Sequence, residues 1–156
     1  MATAQERDFY QEAILLLRAA KSATLATCQD NMPFAALATP AFLTDLSAVL
    51  LHSTLSGHTR QLKANPFCAL LVMGPAPDAN PQTAPRLCLS GHAEISTDAA
   101  VRAAFLAVHP YAAMYADFTD FSFWHVHVTG AHYVGGFAAA ATLDVEKLRA
   151  RSLNSP

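Results

Sequence analysis

The order of apolar and polar positions predicts one helix followed by a series of short strands. Over residues 4–21 the apolar side chains recur at helical spacing, and the charged ones lie off that stripe. The pattern then changes to short β-type runs at 24–28, 34–42 and 48–53, separated by turn-rich segments. We expect these three strands to form an antiparallel meander. Pro40 should mark a bulge or an edge, because proline cannot donate a ladder hydrogen bond.

The rest of the chain continues this alternation of strands and short helices. Residues 74–85 carry four prolines and a glycine, which predicts a loop. The regular elements that we expect are a helix over 56–64, strands over 67–73 and 86–96, a helix from Thr97 or Asp98 to 108, a short turn to 115, strands over 121–129 and 131–137 around Gly130, and an optional helix over 144–151.

Together these elements predict an α+β fold that is mainly β. Six or seven antiparallel strands with short connections favour a small barrel with peripheral helices. At 156 residues we expect a single domain over 1–156, with the N-terminal helix in 1–22 and a C-terminal helix and tail in 144–156.

The composition limits the kinds of partner that this chain is expected to bind. Only 14% of the residues are charged, against roughly 25% in an average soluble protein, and 53% are hydrophobic. Part of this apolar excess is expected in a subunit interface. The net charge of −2 indicates neither a nucleic-acid partner nor an anionic membrane surface. With no apolar run long enough for a signal or a membrane span, we expect a cytoplasmic protein.

Two sets of residues are candidates for metal ligation, and we expect a metal site at neither. Cys28, Cys68 and Cys88 are odd in number and far apart, which favours buried thiols over a disulfide or a zinc site. His125 and His127 share one face of a predicted strand and could ligate a metal or haem iron. Histidines of this kind more often lie at a polar interface, and no carboxylate or cysteine follows at ligand spacing.

The segment 52–66 is the strongest candidate for a ligand site. It leaves an apolar strand, turns on Gly57 and enters a short basic helix. Ser56 is expected to cap this helix, whose free N–H groups and partial positive charge favour an anion. The side chains of His58, Thr59 and Arg60 would add donors. The alternative is a capped surface helix with solvated charges.

Several short motifs occur in an order that points to a known family. They are Ala23-Thr24-Leu25-Ala26-Thr27, Leu50-Leu51-His52-Ser53, Ser56-Gly57-His58-Thr59-Arg60-Gln61-Leu62 with Asn65-Pro66, and Pro85-Arg86-Leu87-Cys88-Leu89-Ser90-Gly91. This order resembles the FMN-binding split barrel of pyridoxamine 5'-phosphate oxidase relatives. The later motifs His109-Pro110, Tyr115-Ala116-Asp117-Phe118, Asp120-Phe121 and Ala131-His132-Tyr133-Val134-Gly135-Gly136-Phe137 are similar to those of the haem-utilisation (HugZ-like) branch.

The resemblance implies a six- to seven-stranded split β-barrel that binds FMN in a groove at a homodimer interface. It implies that the phosphate is held by Ser53, His58, Thr59 and Arg60, and that Thr39, His52 and Arg86 are further cofactor contacts. The alternative for Arg86 is a solvated first residue of its strand. Typical members carry a basic residue in the segment 36–42, where this chain has Ala36 and Ala41.

We therefore expect an FMN-binding flavoprotein that acts as an oxidoreductase on a small-molecule redox substrate. Pyridoxamine phosphate oxidation itself is not expected, because no arginine motif for a second phosphate follows Gly136. Haem degradation is not expected either, since relatives of the haem-utilisation branch continue into a further C-terminal domain. One alternative is a non-catalytic flavin or haem binder. Another is an interaction module that has lost its cofactor. No residue is identified as a catalytic acid or base.

Overall fold

Eight antiparallel strands form one sheet in the computed structural model, which describes residues 7–156. The strands are β1 (Ala23–Gln29), β2 (Met32–Ala38), β3 (Ala41–Phe42), β4 (Ala48–Ser53), β5 (Phe67–Met73), β6 (Arg86–Ser96), β7 (Phe121–Val134) and β8 (Ala140–Leu143). The helices of the described residues are α1 (Phe9–Ala19), α2 (Gly57–Ala64), α3 (Ala99–Val108) and α4 (Val145–Asn154), with short 3-10 turns at Pro81–Thr83 and Pro110–Met114.

The strand order shows that the sheet is a split barrel. The hydrogen-bonded order is β2-β1-β5-β6-β7-β4-β3, and β8 pairs with β7. β2 and β3 therefore lie at opposite ends of the sheet, yet only Thr39 and Pro40 connect them along the chain. The three peptide links from Ala38 to Ala41 span at most about 11 Å, so the sheet must curl until its two edges meet. This confirms the predicted fold class, although the count of six or seven strands missed β8.

The predicted meander of three strands is wrong. The run 34–42 is two strands, because the ladder ends at Ala38 and a new pairing begins at Ala41. β2 pairs with β1, whereas β3 pairs with β4, so the meander is replaced by two separate hairpins. Pro40 has no N–H to donate, and its carbonyl accepts a hydrogen bond from the buried His109 Nε2 at 2.9 Å. The break at proline thus carries the chain from one sheet edge to the other.

The two strands predicted around Gly130 are one continuous strand, β7, with a bulge. Ser90 pairs with Gly130 and Gly91 pairs with Val128, so Thr129 is an extra residue on β7. A bulge increases the local twist and bends the strand. The glycine therefore marks a bend in a long barrel strand, and β7 continues on to pair with β8.

Aspartate caps begin three of the helices. Asp8, Asp98 and Asp144 accept hydrogen bonds from backbone N–H groups in the first turns of α1, α3 and α4. Residues 4–6 of the predicted first helix lie outside the described residues, and α4 continues three residues beyond its predicted end. Within residues 7–156, no helix combines the length and apolar character needed to cross a membrane.

The core consists of two clusters on opposite faces of the sheet. The larger cluster fills the barrel, where Leu50 and Trp124 are buried beside residues from α1 and α4. The smaller cluster packs α3 against the outer face, where Phe105 contacts Phe123 with ring centroids 5.6 Å apart. Successive residues of β4 and β7 therefore point alternately into the barrel and towards α3. This alternation decides which polar side chains can meet.

Candidate functional site

The junction between β4 and α2, residues 52–60, has the predicted arrangement of a strand, a turn and a short helix. β4 ends at Ser53 and α2 begins at Gly57, so the first N–H groups of the helix lack intrahelical partners. The predicted cap by Ser56 is wrong, because its side chain makes no capping hydrogen bond. Ser53 Oγ instead accepts from the backbone N–H of Leu55 at 3.1 Å. The N–H groups of the first turn therefore remain available to a ligand.

Two histidines meet at this junction. His58 Nε2 lies 3.1 Å from His52 Nδ1, and the ring centroids are 4.4 Å apart. His52 is only 6% exposed, and burial, with a smaller contribution from His58, lowers its pKa to about 3. Burial also lowers the pKa of His58. Both imidazoles are therefore neutral at neutral pH, and they supply the site with hydrogen bonding but with no positive charge.

The position of the proton between the two rings determines whether the other ring nitrogen of His58, Nδ1, is a donor or an acceptor. If His58 Nε2 donates to His52 Nδ1, then His58 Nδ1 carries a free lone pair; in the other tautomer, Nδ1 carries a proton. His58 Nδ1 has no hydrogen-bond partner among residues 7–156. The pair can thus present either a metal ligand or a hydrogen-bond donor, while the contact between the rings stays in place.

The charged side chains of the junction nearly cancel. Arg60 is exposed, and its Nη1 donates to the backbone carbonyl of Leu55 at 3.0 Å. Ser53 Oγ donates to the Asp120 carboxylate at 2.6 Å, which brings a negative charge to the same place. Asp120 belongs to one of the motifs that carry the family resemblance but was not predicted to lie at the site, although it directly precedes β7, the partner strand of β4. The junction therefore carries little net positive charge.

Other atoms of the junction suit a ligand with an aromatic face. A Cβ placed on Gly57 would lie 3.7 Å from the Phe34 ring and 3.8 Å from the Arg60 guanidinium, so ring and cation flank the helix start. Leu55 is 78% exposed. His52 Nε2 and Thr59 Oγ1 are buried without a hydrogen-bond partner in the described part of the chain. The junction therefore combines apolar surface, one cation and unsatisfied polar atoms.

Thr39 and Arg86, which were also predicted to contact the cofactor, lie in different parts of the fold. Thr39 lies in the two-residue connection between β2 and β3. It is beside β4, because β3 begins two residues later with the pairing of Ala41 and Val49 of β4. Arg86 pairs with Val134, at the opposite end of β7 from the Phe121–Ser53 pair. Its guanidinium donates to two backbone carbonyls of the preceding loop. Within one chain, Thr39 therefore lies beside β4, whereas Arg86 lies at the far end of β7 from the β4–α2 junction.

The histidines of β7 have a carboxylate neighbour that the sequence interpretation missed. Glu94 of β6 lies opposite His125, and its Oε1 is 2.8 Å from His127 Nε2. His132 lies beyond the bulge and contacts Thr142 Oγ1. The sequence did hold a signal: both β6 and β7 carry polar residues two apart on one face. Only the cross-strand register could show that those faces meet.

All three cysteines are free thiols, but of the three positions predicted to be buried only Cys68 is. Cys68 is buried in the barrel, and burial raises the pKa of its thiol to about 11. Cys28 and Cys88 are half-buried. None of them lies in the group of possible metal ligands that Glu94 forms with the two histidines.

The chain is similar to known proteins over most of its length. A family model described as pyridoxamine 5'-phosphate oxidase matches residues 9–135. The chloroplastic heme oxygenase HOZ of Arabidopsis thaliana is 42% identical over 99 residues, which cover 62% of this chain and 30% of that protein. The chain thus matches less than a third of this curated relative.

Solved structures of other proteins share the fold of this chain. A heme binding protein from Mycobacterium smegmatis superimposes with a TM-score of 0.85 and 28% identity, over 94% of this chain and 62% of that one. Campylobacter jejuni ChuZ superimposes with a TM-score of 0.77 over 89% of this chain and 61% of its own; at 17% identity this likeness shows the fold alone.

Proposed function

Because this chain belongs to the pyridoxamine 5'-phosphate oxidase family, we propose that it is a haem-binding member of that family. The observation that carries the proposal is the likeness, at 28% identity over 94% of the chain, to a heme binding protein of the same fold. The 42% identity to part of a heme oxygenase supports the same ligand. We place the ligand at the β4–α2 junction.

The donor chemistry of the junction fits haem. A haem iron takes a neutral imidazole as an axial ligand, and metal-ligating histidines usually donate their other N–H to a fixed acceptor. His58 meets both conditions, because burial lowers its pKa and His52 Nδ1 can accept its Nε2 proton. His58 Nδ1 would then face the iron. When bound, the haem would supply the redox chemistry.

The surroundings of His58 also suit a large flat ligand. The Phe34 ring lies against the start of α2, and the exposed Leu55 adds apolar surface. Arg60 offers one cation for a carboxylate, and the free N–H groups of α2 can donate hydrogen bonds to an anionic group. This modest positive charge suits propionates, which often remain partly solvated, better than a phosphate dianion.

A second candidate function is that of the FMN oxidoreductase expected from the sequence. It is favoured by the two buried polar atoms without partners, His52 Nε2 and Thr59 Oγ1, at a helix N-terminus. In this case the other tautomer of the histidine pair would let His58 Nδ1 donate to the phosphate. The two cofactors therefore require opposite protonation of the same nitrogen.

Parallel titrations with haemin and with FMN distinguish the two candidates. For haem binding we expect a saturable Soret band at one haem per chain and no stoichiometric uptake of FMN. Stoichiometric FMN binding without a haemin complex would overturn the proposal in favour of the flavoprotein. Bleaching of the Soret band after addition of a reductant in air would show that the haem is also degraded.

We also propose that the chain is a homodimer. The outer face of β2, β1 and β5 exposes a run of large apolar side chains: Leu37 is 77% exposed, Phe67 68% and Met73 55%. Apolar patches on an otherwise polar surface commonly mark interfaces. A second copy seated on this face would also allow Arg86 of one chain to approach the junction of the other.

Replacing Leu37 with glutamate should separate the two chains. The side chain is exposed in one chain, so the fold should persist, whereas burying the carboxylate in an interface is costly. Sedimentation velocity should show a dimer for the wild type and a monomer for Leu37→Glu. The matched control is Leu153→Glu, on the exposed side of α4, which should remain dimeric. A monomeric wild type would refute the homodimer.

A further inference from the structure

A second group of polar side chains lies on the outer face of the sheet. His52 and the core residue Leu50 point into the barrel from β4, whereas His125 and His127 project from the opposite face of β7. Glu94 reaches them from β6. Ligand atoms of these three side chains all lie within 4.8 Å of one another. Small side-chain rotations would allow one ion to contact all three.

The hydrogen bonds among these three side chains leave one ring nitrogen without a partner, which a bound ligand could supply. The His125 and His127 rings are 4.5 Å apart, yet His125 Nε2 is buried and has no partner among residues 7–156. Burial, and to a lesser extent His127, lowers the pKa of His125, so its ring is neutral. The hydrogen bond from His127 lowers the pKa of Glu94, so the carboxylate is ionised. A ring nitrogen without a hydrogen-bond partner thus lies close to a negative charge.

We propose that Glu94, His125 and His127 bind a divalent transition-metal ion. Two imidazoles and one carboxylate are ligands that Zn²⁺ and Fe²⁺ accept, whereas Ca²⁺ and Mg²⁺ prefer oxygen alone. Three protein ligands on a half-exposed surface leave coordination positions open to water. This site is separate from the proposed haem site, because it lies on the other face of the sheet.

The His92 ring stacks on that of His127, with centroids 5.0 Å apart and planes inclined by 26°. His92 itself lies outside the group of three ligands.

The test is a Zn²⁺ titration of the haem-free, chelator-treated chain in competition with a chromophoric chelator. We expect the wild type to bind one Zn²⁺ per chain. Because changes around a ligand already cost about 10–100-fold in affinity, His125→Ala and His127→Ala should each lose at least about tenfold. Glu94→Gln keeps the size of the side chain but removes its charge, and should also weaken binding. The matched control is His132→Ala, on the same strand, which should bind as the wild type does.

Three results would overturn the proposal: a wild type that binds no Zn²⁺, variants that bind as tightly as the wild type, or a His132→Ala variant that loses as much affinity as His125→Ala. Circular dichroism checks that each variant folds, and the exposed Glu94 provides a test even if a histidine variant does not. Haemin binding by His125→Ala should be unchanged. The metal site and the haem site can therefore fail independently.

Discussion

Replacing Gly91 with alanine is expected to destabilise the protein by about 3 kcal/mol, at the upper end of the usual cost of overpacking. A Cβ at this position would lie 1.9 Å from the backbone oxygen of His127 and 3.1 Å from the Cα of Val128. These are backbone atoms of the adjacent strand, so they cannot rotate away. The β6–β7 ladder would have to open at the bulge. Thermal unfolding should show a midpoint lowered by roughly 6–12 °C.

The matched control is Gly130→Ala, on the opposite side of the same bulge. There a Cβ would lie 2.3 Å from Ser90 Oγ, an exposed hydroxyl that can adopt another rotamer. We expect a loss below about 1 kcal/mol, as for an ordinary surface substitution. Equal destabilisation by the two variants would show that close strand contact at Gly91 is not what requires a glycine.

The second large effect is a loss of stability in mild acid that originates at His52. Its pKa is about 3 in the folded chain, because burial disfavours the charged ring, against about 6.5 when unfolded. The unfolded state therefore binds more protons between these values, and stability falls as the pH falls. From pH 6.5 to pH 5 we expect a loss of about 1.5 kcal/mol from this residue, measured by urea unfolding at each pH.

The control for the acid effect is His52→Asn, which cannot take up a proton. The variant should be less stable at neutral pH, because it alters a buried side chain, but its stability should depend less on pH over this interval. His58 and His125 also have lowered pKa values and remain in both proteins. Parallel pH profiles for the wild type and the variant would contradict a buried, neutral His52.

Local patterns predicted the elements well where one residue type determines the structure. The apolar alternation from Leu87 to Ala93 marked β6 from Arg86 to Ser96, and Asp98 marked the start of α3. These features depend on neighbours along the chain, which the sequence displays directly. The helix α2 was predicted for the same reason, although its Ser56 cap was not formed.

Pairing between distant segments could not be predicted in the same way. β1 pairs with β5, and no three-stranded meander forms. The reason is that the two residues after Ala38 carry the chain from β2 at one edge of the sheet to β3 at the other. The approach of Asp120 to Ser53 depends on the pairing of β4 with β7. The approach of Glu94 to His125 depends on the bulge, which shifts the β6–β7 register by one residue. No local pattern in the sequence indicates the register of β4 with β7 or of β6 with β7.

We propose above that the β4–α2 junction binds haem through His58. The most direct measurement is a haemin titration of His58→Ala beside the wild type and His132→Ala, followed at the Soret band. Loss of an axial ligand should weaken binding at least about tenfold and shift the band, while His132→Ala should match the wild type. If His58→Ala binds haemin with the affinity and spectrum of the wild type, the proposed site is wrong.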